Sequence, residues 1–254
     1  MKRALVPEIP NPGKSVLLPD DESRHLIQVL RLRTGDEVEL LDGKGGNAKA
    51  ILQNPGRGWM AEITERKQVP VDFLPFELWV GILKTEAMEW LIEKATEMGV
   101  AKIVPFESQF TVVQTKNKGP DAFQARWQKI SDQALKQCGR CHRMKIELPI
   151  SFETALSRAE KMKFSWCDEQ LSTQNNASQH LALSLHHAVW IGPEGGFHPL
   201  ERDRLSKLTM LRPHEITRAH LGPLILRAET AAVLAIGILH GAYYGKGPIT
   251  QNSV

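Results

Sequence analysis

Apolar positions recur along the chain at two different periods, and the period changes once. From Ser15 to about Arg66 it is mostly short. Glu37–Leu41 predicts a strand, Asp42-Gly43 a turn, and the stretches near Ala48–Leu52 and Trp59–Thr64 two further strands. Ahead of them, Asp20 or Asp21 can cap a helix carrying His25, Leu26, Val29 and Leu30, because a short acceptor side chain satisfies free N–H groups at a helix start. Together these elements predict a small, barrel-like β domain. Pro70 and Pro75 flank the apparent junction, where proline favours an extended connection.

Beyond Pro75, strand and helix alternate. Leu78–Leu83 is a short apolar strand. Met88, Leu91, Ile92, Ala95 and Met98 then recur at helical spacing, and Gly99 supplies a left-handed stop. Lys102–Phe106 is the next strand. Asp121 and Gln124 predict a capping box for a long helix with Phe123, Trp127, Ile130, Ala134 and Cys138 on one face, ending at Gly139. A strand near Lys145, a helix from Ser151 and a strand at Lys163–Cys167 follow, and the polar stretch Gln170–Gln179 reads as a loop. Ala231–Leu239, interrupted by Gly237, reads as a buried helix. This alternation predicts a mostly parallel sheet covered by helices.

Composition adds limits. The 254 residues are 42% hydrophobic and 24% charged, values of an ordinary globular protein. No stretch reaches the roughly 18 apolar residues of a membrane span. The basic N-terminus has no apolar run behind it, so no secretory signal is read. A cytoplasmic protein without a membrane partner is the expectation. The net charge is only +3, yet Gln114–Glu147 holds eight Lys or Arg against three acids. Such a segment is either a phosphate-facing patch or a solvated helix face, and charge alone does not choose. Three cysteines exclude a disulfide scaffold and fit a reducing compartment. Cys138-Gly-Arg-Cys141-His142 matches the C-x-x-C-H spacing, but haem attachment of that kind needs export, and zinc would need further ligands. A helix-end coincidence is the simpler reading, and no metal is expected.

Two loops carry the candidate chemistry. Ala188-Val189-Trp190-Ile191 is a buried-strand pattern running into Gly192-Pro193-Glu194-Gly195-Gly196-Phe197. Ligands of open α/β sheets bind beyond the carboxyl ends of strands, and glycine there lets a ligand approach the backbone. The turn is neither a P-loop nor a dinucleotide fingerprint. Leu221-Gly222-Pro223-Leu224-Ile225-Leu226 leads into Arg227-Ala228-Glu229-Thr230-Ala231, which opens the final helix. An Arg and a Glu at the start of a buried helix are costly unless solvated or paired. They mark either a functional site or an ion pair that fixes the helix end.

IGPEGGF together with LGPLILRAETA resembles the bacterial 16S rRNA uracil-N3 methyltransferases, a family of the SPOUT superfamily. HLIQVLRLRTGDEVELLDGKGG resembles that family's PUA-like RNA-binding β-barrel, and LKTEAMEWLIEKATEMGVAKIVPFES and WQKISDQALKQCGR resemble stretches of its catalytic domain. The resemblance implies an α/β fold class, with a C-terminal SPOUT-type trefoil-knotted domain over 73–254 and a smaller PUA-like barrel over 1–72. It implies S-adenosyl-L-methionine as cofactor, the 16S rRNA of the small ribosomal subunit as partner, and a homodimer. Ile191, Gly192, Pro193, Glu194, Gly195 and Gly196 would line one side of the cofactor pocket. Leu221, Gly222, Ile225, Leu226 and Arg227 would close the other. Arg227 and Glu229, in the R-x-E-T element, would be catalytic, and Arg24, Arg31, Arg33, Gln137, Arg140 and Arg143 would contact RNA.

The chain departs from the family pattern at three places. Leu224 stands where the family commonly has Arg, His198 where it has Ser, and Gln109-Phe110 where it has Glu-Arg. Two other readings compete. A relative acting on a ribose 2′-OH or another base would share the loops but not the HLIQVLRLRTGD module, and a non-catalytic assembly factor would not need the loops intact.

Overall fold

A computed structural model describes residues 2–56, 58–71, 73–115, 119–170 and 188–244. The chain forms two compact units, one of residues 1–73 with 131–143 and one of 74–130 with 144–254.

The first unit is built on a curled five-stranded sheet of β1 (Arg3–Leu5), β2 (Ser15–Leu17), β3 (Glu37–Leu41), β4 (Gly46–Gln53) and β5 (Met60–Gln68), in the order β1-β3-β4-β5-β2. β1 runs parallel to β3, and the other pairs are antiparallel. The register of β4 against β5 shifts between Lys49 and Ala50, a bulge of the kind that bends a long hairpin. Leu26, Leu40, Ala50, Leu52 and Ile63 fill the core beneath it.

The first helix differs from expectation. α1 (Asp20–Arg24) has Pro19 at its N-cap, so Asp20 and Asp21 lie in its first turn and neither caps it. They sit instead where the helix dipole favours negative charge. The chain then winds as a π-helical turn over His25–Val29. Leu26 is buried, but the wider turn rotates Val29 off the apolar face and leaves it 64% exposed. Arg31 follows with φ +57, a left-handed residue that turns the chain toward β3.

The last turns of α3 (Pro120–Cys138) and the residues after it belong to this unit. Leu135 and Cys141 are buried with Leu5 and Leu41. His142 bridges to Lys44 as an isolated antiparallel pair. Cys141 is therefore core, whereas Cys138, expected on the buried face of α3, is exposed because Leu135 takes the buried position. The expected capping box at Asp121 and Gln124 does not form. α3 starts earlier, at Pro120, and the Gln124 amide donates to the Ile146 carbonyl at 2.7 Å.

The second unit is a parallel sheet. Its strands are β6 (Leu74–Gly81), β7 (Val100–Glu107), β8 (Lys145–Ile146), β9 (Ile150–Ser151), β10 (Phe164–Cys167), β11 (Ala188–Ile191) and β12 (Ile216–Ala219). The order is β12-β10-β11-β6-β7-β8, with β9 also on β7. β6 takes in Pro75, and the register against β7 shifts between Leu74 and Glu77, where proline has no N–H for the ladder. Four further helices accompany the sheet: α2 (Thr85–Glu97), α4 (Phe152–Ala159), α5 (Pro199–Leu211) and α6 (Ala228–Tyr244). The Ser151 hydroxyl caps α4 by accepting from the Thr154 N–H at 3.1 Å. α6 runs unbroken through Gly237.

Successive side chains of the central strands enter different cores, as a two-residue period requires. Leu78, Val80, Val189 and Ile191 pack with α2 and α6 residues such as Leu91 and Ile236. Trp79 and Trp190, stacked at 4.9 Å, belong to an aromatic core with Phe106, Phe164, Trp166 and Phe197. Among the described residues, no helix is long and apolar enough to cross a membrane. Of the polar stretch Gln170–Gln179, all but Gln170 lies outside the described residues.

Candidate cofactor site

The site grows from the carboxyl edge of the parallel sheet. Ile191 is paired with Val80, so Gly192 emerges beside Gly81. A Cβ on Gly81 would lie 2.5 Å from Pro193 Cδ and 2.6 Å from its backbone nitrogen. One on Gly192 would lie 3.0 Å from the Gly196 carbonyl carbon. The Gly196 N–H donates to the Pro193 carbonyl at 2.8 Å and closes the turn, with Gly196 at φ +69. Phe197 then drops into the aromatic core, 6.2 Å from Phe106 and 5.9 Å from Trp166.

Side chains around the turn fasten it. Glu194 accepts the Lys84 backbone N–H at 2.6 Å, at the N-cap of α2, which has no side-chain cap of its own. Glu201 is buried and accepts from the Ser108 hydroxyl at 2.7 Å and from the backbone N–H groups of Gln109 and His198 at 2.9 Å each. His198 caps α5 by accepting the Leu200 N–H at 3.3 Å. The Phe110 ring stands edge-on to His198 at 5.0 Å, so the departures at 109, 110 and 198 meet at one place.

The opposite wall is the loop after β12. The buried His220 accepts the Gly222 N–H through Nδ1 at 3.3 Å, and Gly222 has φ +127. Between this loop and the glycine turn lies a cavity of about 470 Å³, reached also by residues 167–170, Ala228 and Ala231. Every residue expected to hold the cofactor lines it except Arg227. Leu224 and Ile225 are 77% and 84% exposed at its mouth.

Arg227 and Glu229 are differently placed. Arg227 is exposed just before α6, and Glu229 is half-buried in its first turn. They make no ion pair with each other, so the reading of an ion pair that fixes the helix end fails. Exposure also removes the burial cost that drew attention to Arg227.

The candidate RNA residues also separate. Arg24, Arg31 and Arg33 are exposed on the first unit. Gln137 is exposed, and its carbonyl accepts from Arg3 at 2.9 Å. Arg140 is not on an open helix face: it is buried, donates to the His142 carbonyl at 2.6 Å and lies 5.5 Å over the Phe73 ring. Arg143 forms a bidentate pair with Asp132 at 3.0 Å. Elsewhere in the basic segment, Lys136 pairs with Glu22, Arg126 with Glu89 and Lys145 with Glu147, while Lys116 and Lys118 lie outside the described residues.

Sequence reasoning missed the cluster after β10. Asp168, fully buried, pairs with Arg202 of α5 at 3.0 Å and with Arg218 of β12. The Arg218 guanidinium also lies 5.1 Å over the Trp166 ring. Glu201 was missed as well, although His198-x-x-Glu201 has capping-box spacing with histidine in the capping position.

An open, glycine-walled cavity at the carboxyl ends of parallel strands is where an α/β enzyme binds its ligand, and this chain also carries a curled β module. Residues 72–240 match the family model described as the RNA methyltransferase domain, and residues 18–58 match that of the RNA methyltransferase PUA domain. The chain belongs to the RNA methyltransferase family. Its fold is a PUA-like module followed by a SPOUT-type α/β domain. It is 28% identical to the ribosomal RNA small subunit methyltransferase E of Bacillus subtilis over 86% of this chain and 87% of that one. It is 26% identical to the protein of the same name from Mycobacterium bovis over 91% and 88%. The crystal structure of a ribosomal RNA small subunit methyltransferase E from Neisseria gonorrhoeae bound to S-adenosyl methionine aligns with a TM-score of 0.80 at 28% identity, covering 96% of this chain and 98% of that one.

Cys167 lines the cavity, and its protonation bears on the chemistry. Burial, with the Asp168 carboxylate adding to it, pushes the thiol up to about 12. A thiol raised this far is protonated throughout the neutral range and is no nucleophile there. Iodoacetamide at pH 8 should therefore label the exposed Cys138 and leave Cys167 unmodified in a peptide map, with Cys167 labelling appearing only toward pH 12. Equal labelling of both at pH 8 would contradict this.

Proposed function

We propose that the chain methylates N3 of a specific uridine in 16S rRNA of the small ribosomal subunit, using S-adenosyl-L-methionine. The observation that carries this reading is the cavity between the 191–196 turn and the 220–226 loop. Its volume falls in the range of about 300–1,000 Å³ usual for small-ligand sites. The cofactor fits the residues present: glycines bring the backbone to the cavity surface, and Ile191, Leu221 and Leu226 offer aliphatic walls to a flat adenine. The names of the relatives support rRNA of the small subunit as substrate.

When bound, S-adenosyl-L-methionine supplies an electrophilic methyl group for in-line displacement. The two loops would hold the donor in one orientation, and positioning of this kind can supply most of the effect. N3 of uracil carries a proton at neutral pH and must lose it as its bond to carbon forms. Arg227, solvent-facing at the start of α6, stabilises the charge that develops on the uracil oxygens. Glu229 makes no ion pair with Arg227, which favours a proton-accepting role over an orienting one. N3 lies on the Watson–Crick edge, so the target base is unpaired or flipped out. A protonated Cys167 speaks against the thiolate route used for methylation at pyrimidine C5.

On the first unit we assign Arg24, Arg31 and Arg33 to phosphate contacts, with Gln137 in the last turn of α3. Arg140 and Arg143 hold the 131–143 segment in shape. Arg31→Ala should weaken RNA binding and lower its salt slope by about one, with cofactor affinity unchanged; an unchanged slope would remove Arg31 from the interface. The α/β unit is proposed to be trefoil-knotted and to form a homodimer in the cytoplasm. The exposed Leu234 and Tyr244 of the apolar α6 support dimerisation, and a 28.5 kDa monomer in sedimentation at micromolar concentration would contradict it.

The product decides the reading. Small subunits lacking the modification, incubated with enzyme and labelled cofactor, should yield 3-methyluridine on nuclease digestion and mass spectrometry. Arg227→Ala should lower the rate at least a hundredfold, on the order expected for loss of one charge-stabilising donor, and change cofactor affinity little. Label on ribose or on uracil C5 would overturn the N3 assignment.

A further inference from the structure

Asp168 and Glu169 follow β10 directly and line the cofactor cavity. Asp168 accepts from Arg202 Nε at 3.0 Å, from Arg218 Nε at 2.9 Å and from the Gln170 N–H at 3.0 Å. One buried carboxylate thus ties α5 to β12, the elements that follow the glycine turn and precede the second loop. Arg202 also donates to Glu169 Oε1 at 2.6 Å. Two acids and two arginines leave the cluster neutral.

Glu169 is the member open to the cavity, with its side chain about one-third exposed. Its Oε1 and Oε2 lie 2.6 Å and 3.2 Å from the point a Gly196 Cβ would occupy. The carboxylate therefore rests against the Cα of Gly196, and the missing side chain makes room for it. Among the described residues Oε2 accepts no hydrogen bond. A carboxylate whose charge an arginine already balances, with one oxygen still able to accept, is suited to hydroxyl donors more than to a cation.

Adjacent hydroxyls are what the ribose of an adenosyl ligand presents. We propose that Glu169 recognises the ribose diol of the cofactor through Oε2, with Asp168 and Arg202 as positioning residues that fix the carboxylate against Gly196. This rests on the cofactor reading above.

The test is a binding cycle by calorimetry with S-adenosylhomocysteine and its 2′-deoxy and 3′-deoxy forms, on the full chain and its Glu169→Ala and Glu169→Gln variants. The wild-type protein should bind at least one deoxy form about ten- to a hundredfold more weakly than the parent, the scale of one hydrogen bond to a charged group. Glu169→Ala should lose a similar factor for the parent and no longer distinguish the deoxy forms. Glu169→Gln, which keeps an acceptor oxygen and serves if the alanine variant does not fold, should recover part of the discrimination. If Glu169→Ala, or Glu169→Gln in its place, discriminates as fully as wild type, the diol assignment is wrong and the cofactor reading stands. If wild type binds none of the three ligands, the cofactor reading falls and this proposal falls with it.

Discussion

Between the end of β6 and the turn that follows β11 there is no room for a side chain. Gly81 and Gly192 lie side by side where two parallel strands end, and the turn folds back over them until Pro193 fills the space a Gly81 Cβ would need. Gly196 meets the same constraint from the other side, against the Glu169 carboxylate. Because the turn lies this low, Phe197 reaches the aromatic core, Glu194 reaches the N–H of Lys84 at the N-cap of α2, and Glu201 collects donors from two loops. The cavity is the space left above a backbone pressed onto the sheet. Its floor is rigid for that reason, while its opposite wall, with Leu224 and Ile225 facing solvent, has few such ties.

Electrostatics acts locally in this molecule. The excess of positive charge between 114 and 147 looks like a patch in the sequence, yet Glu22 and Glu89, distant in the chain, come to neutralise two of its members, and Arg140 turns inward. The Arg126–Glu89 pair, with Arg126 more than half exposed, stabilises little on its own. The buried Asp168 is different: a carboxylate with no access to water requires both arginines, and removing either would leave charge unpaired inside the fold. That requirement ties α5 to β12, the elements that follow the first loop and precede the second, through one residue.

Much of the fold was legible in the sequence, for physical reasons that also mark where legibility ended. The helix at 85–97 buries Met88, Leu91, Ile92 and Ala95 at helical spacing, and the strands at 37–41, 100–107 and 164–167 are short runs rich in buried apolar residues, so the pattern shows them. β1 and β2 have three residues each, too few for any period, and β12 and α5 carry charged residues facing ion partners that the sequence cannot pair. The π-helical turn after Arg24 broke the 3.6-residue spacing on which Val29 was placed. At the site, the glycine loops were readable because only glycine satisfies a positive φ or a backbone contact. Glu169, Asp168 and Glu201 were not readable, since each acts through a partner that folding brings from 30 or more residues away. Arg227 was noticed for a burial it does not have.

The proposed function requires that the two loops together hold the cofactor. Hydrogen–deuterium exchange of the full chain, with and without saturating S-adenosyl-L-methionine, reads this directly. Protection should appear at amides of 192–197 and of 220–228, larger in the second loop because it starts with fewer ties, while strands β3 to β5 should not change. Unchanged exchange at both loops, or protection confined to the first unit, would contradict the account.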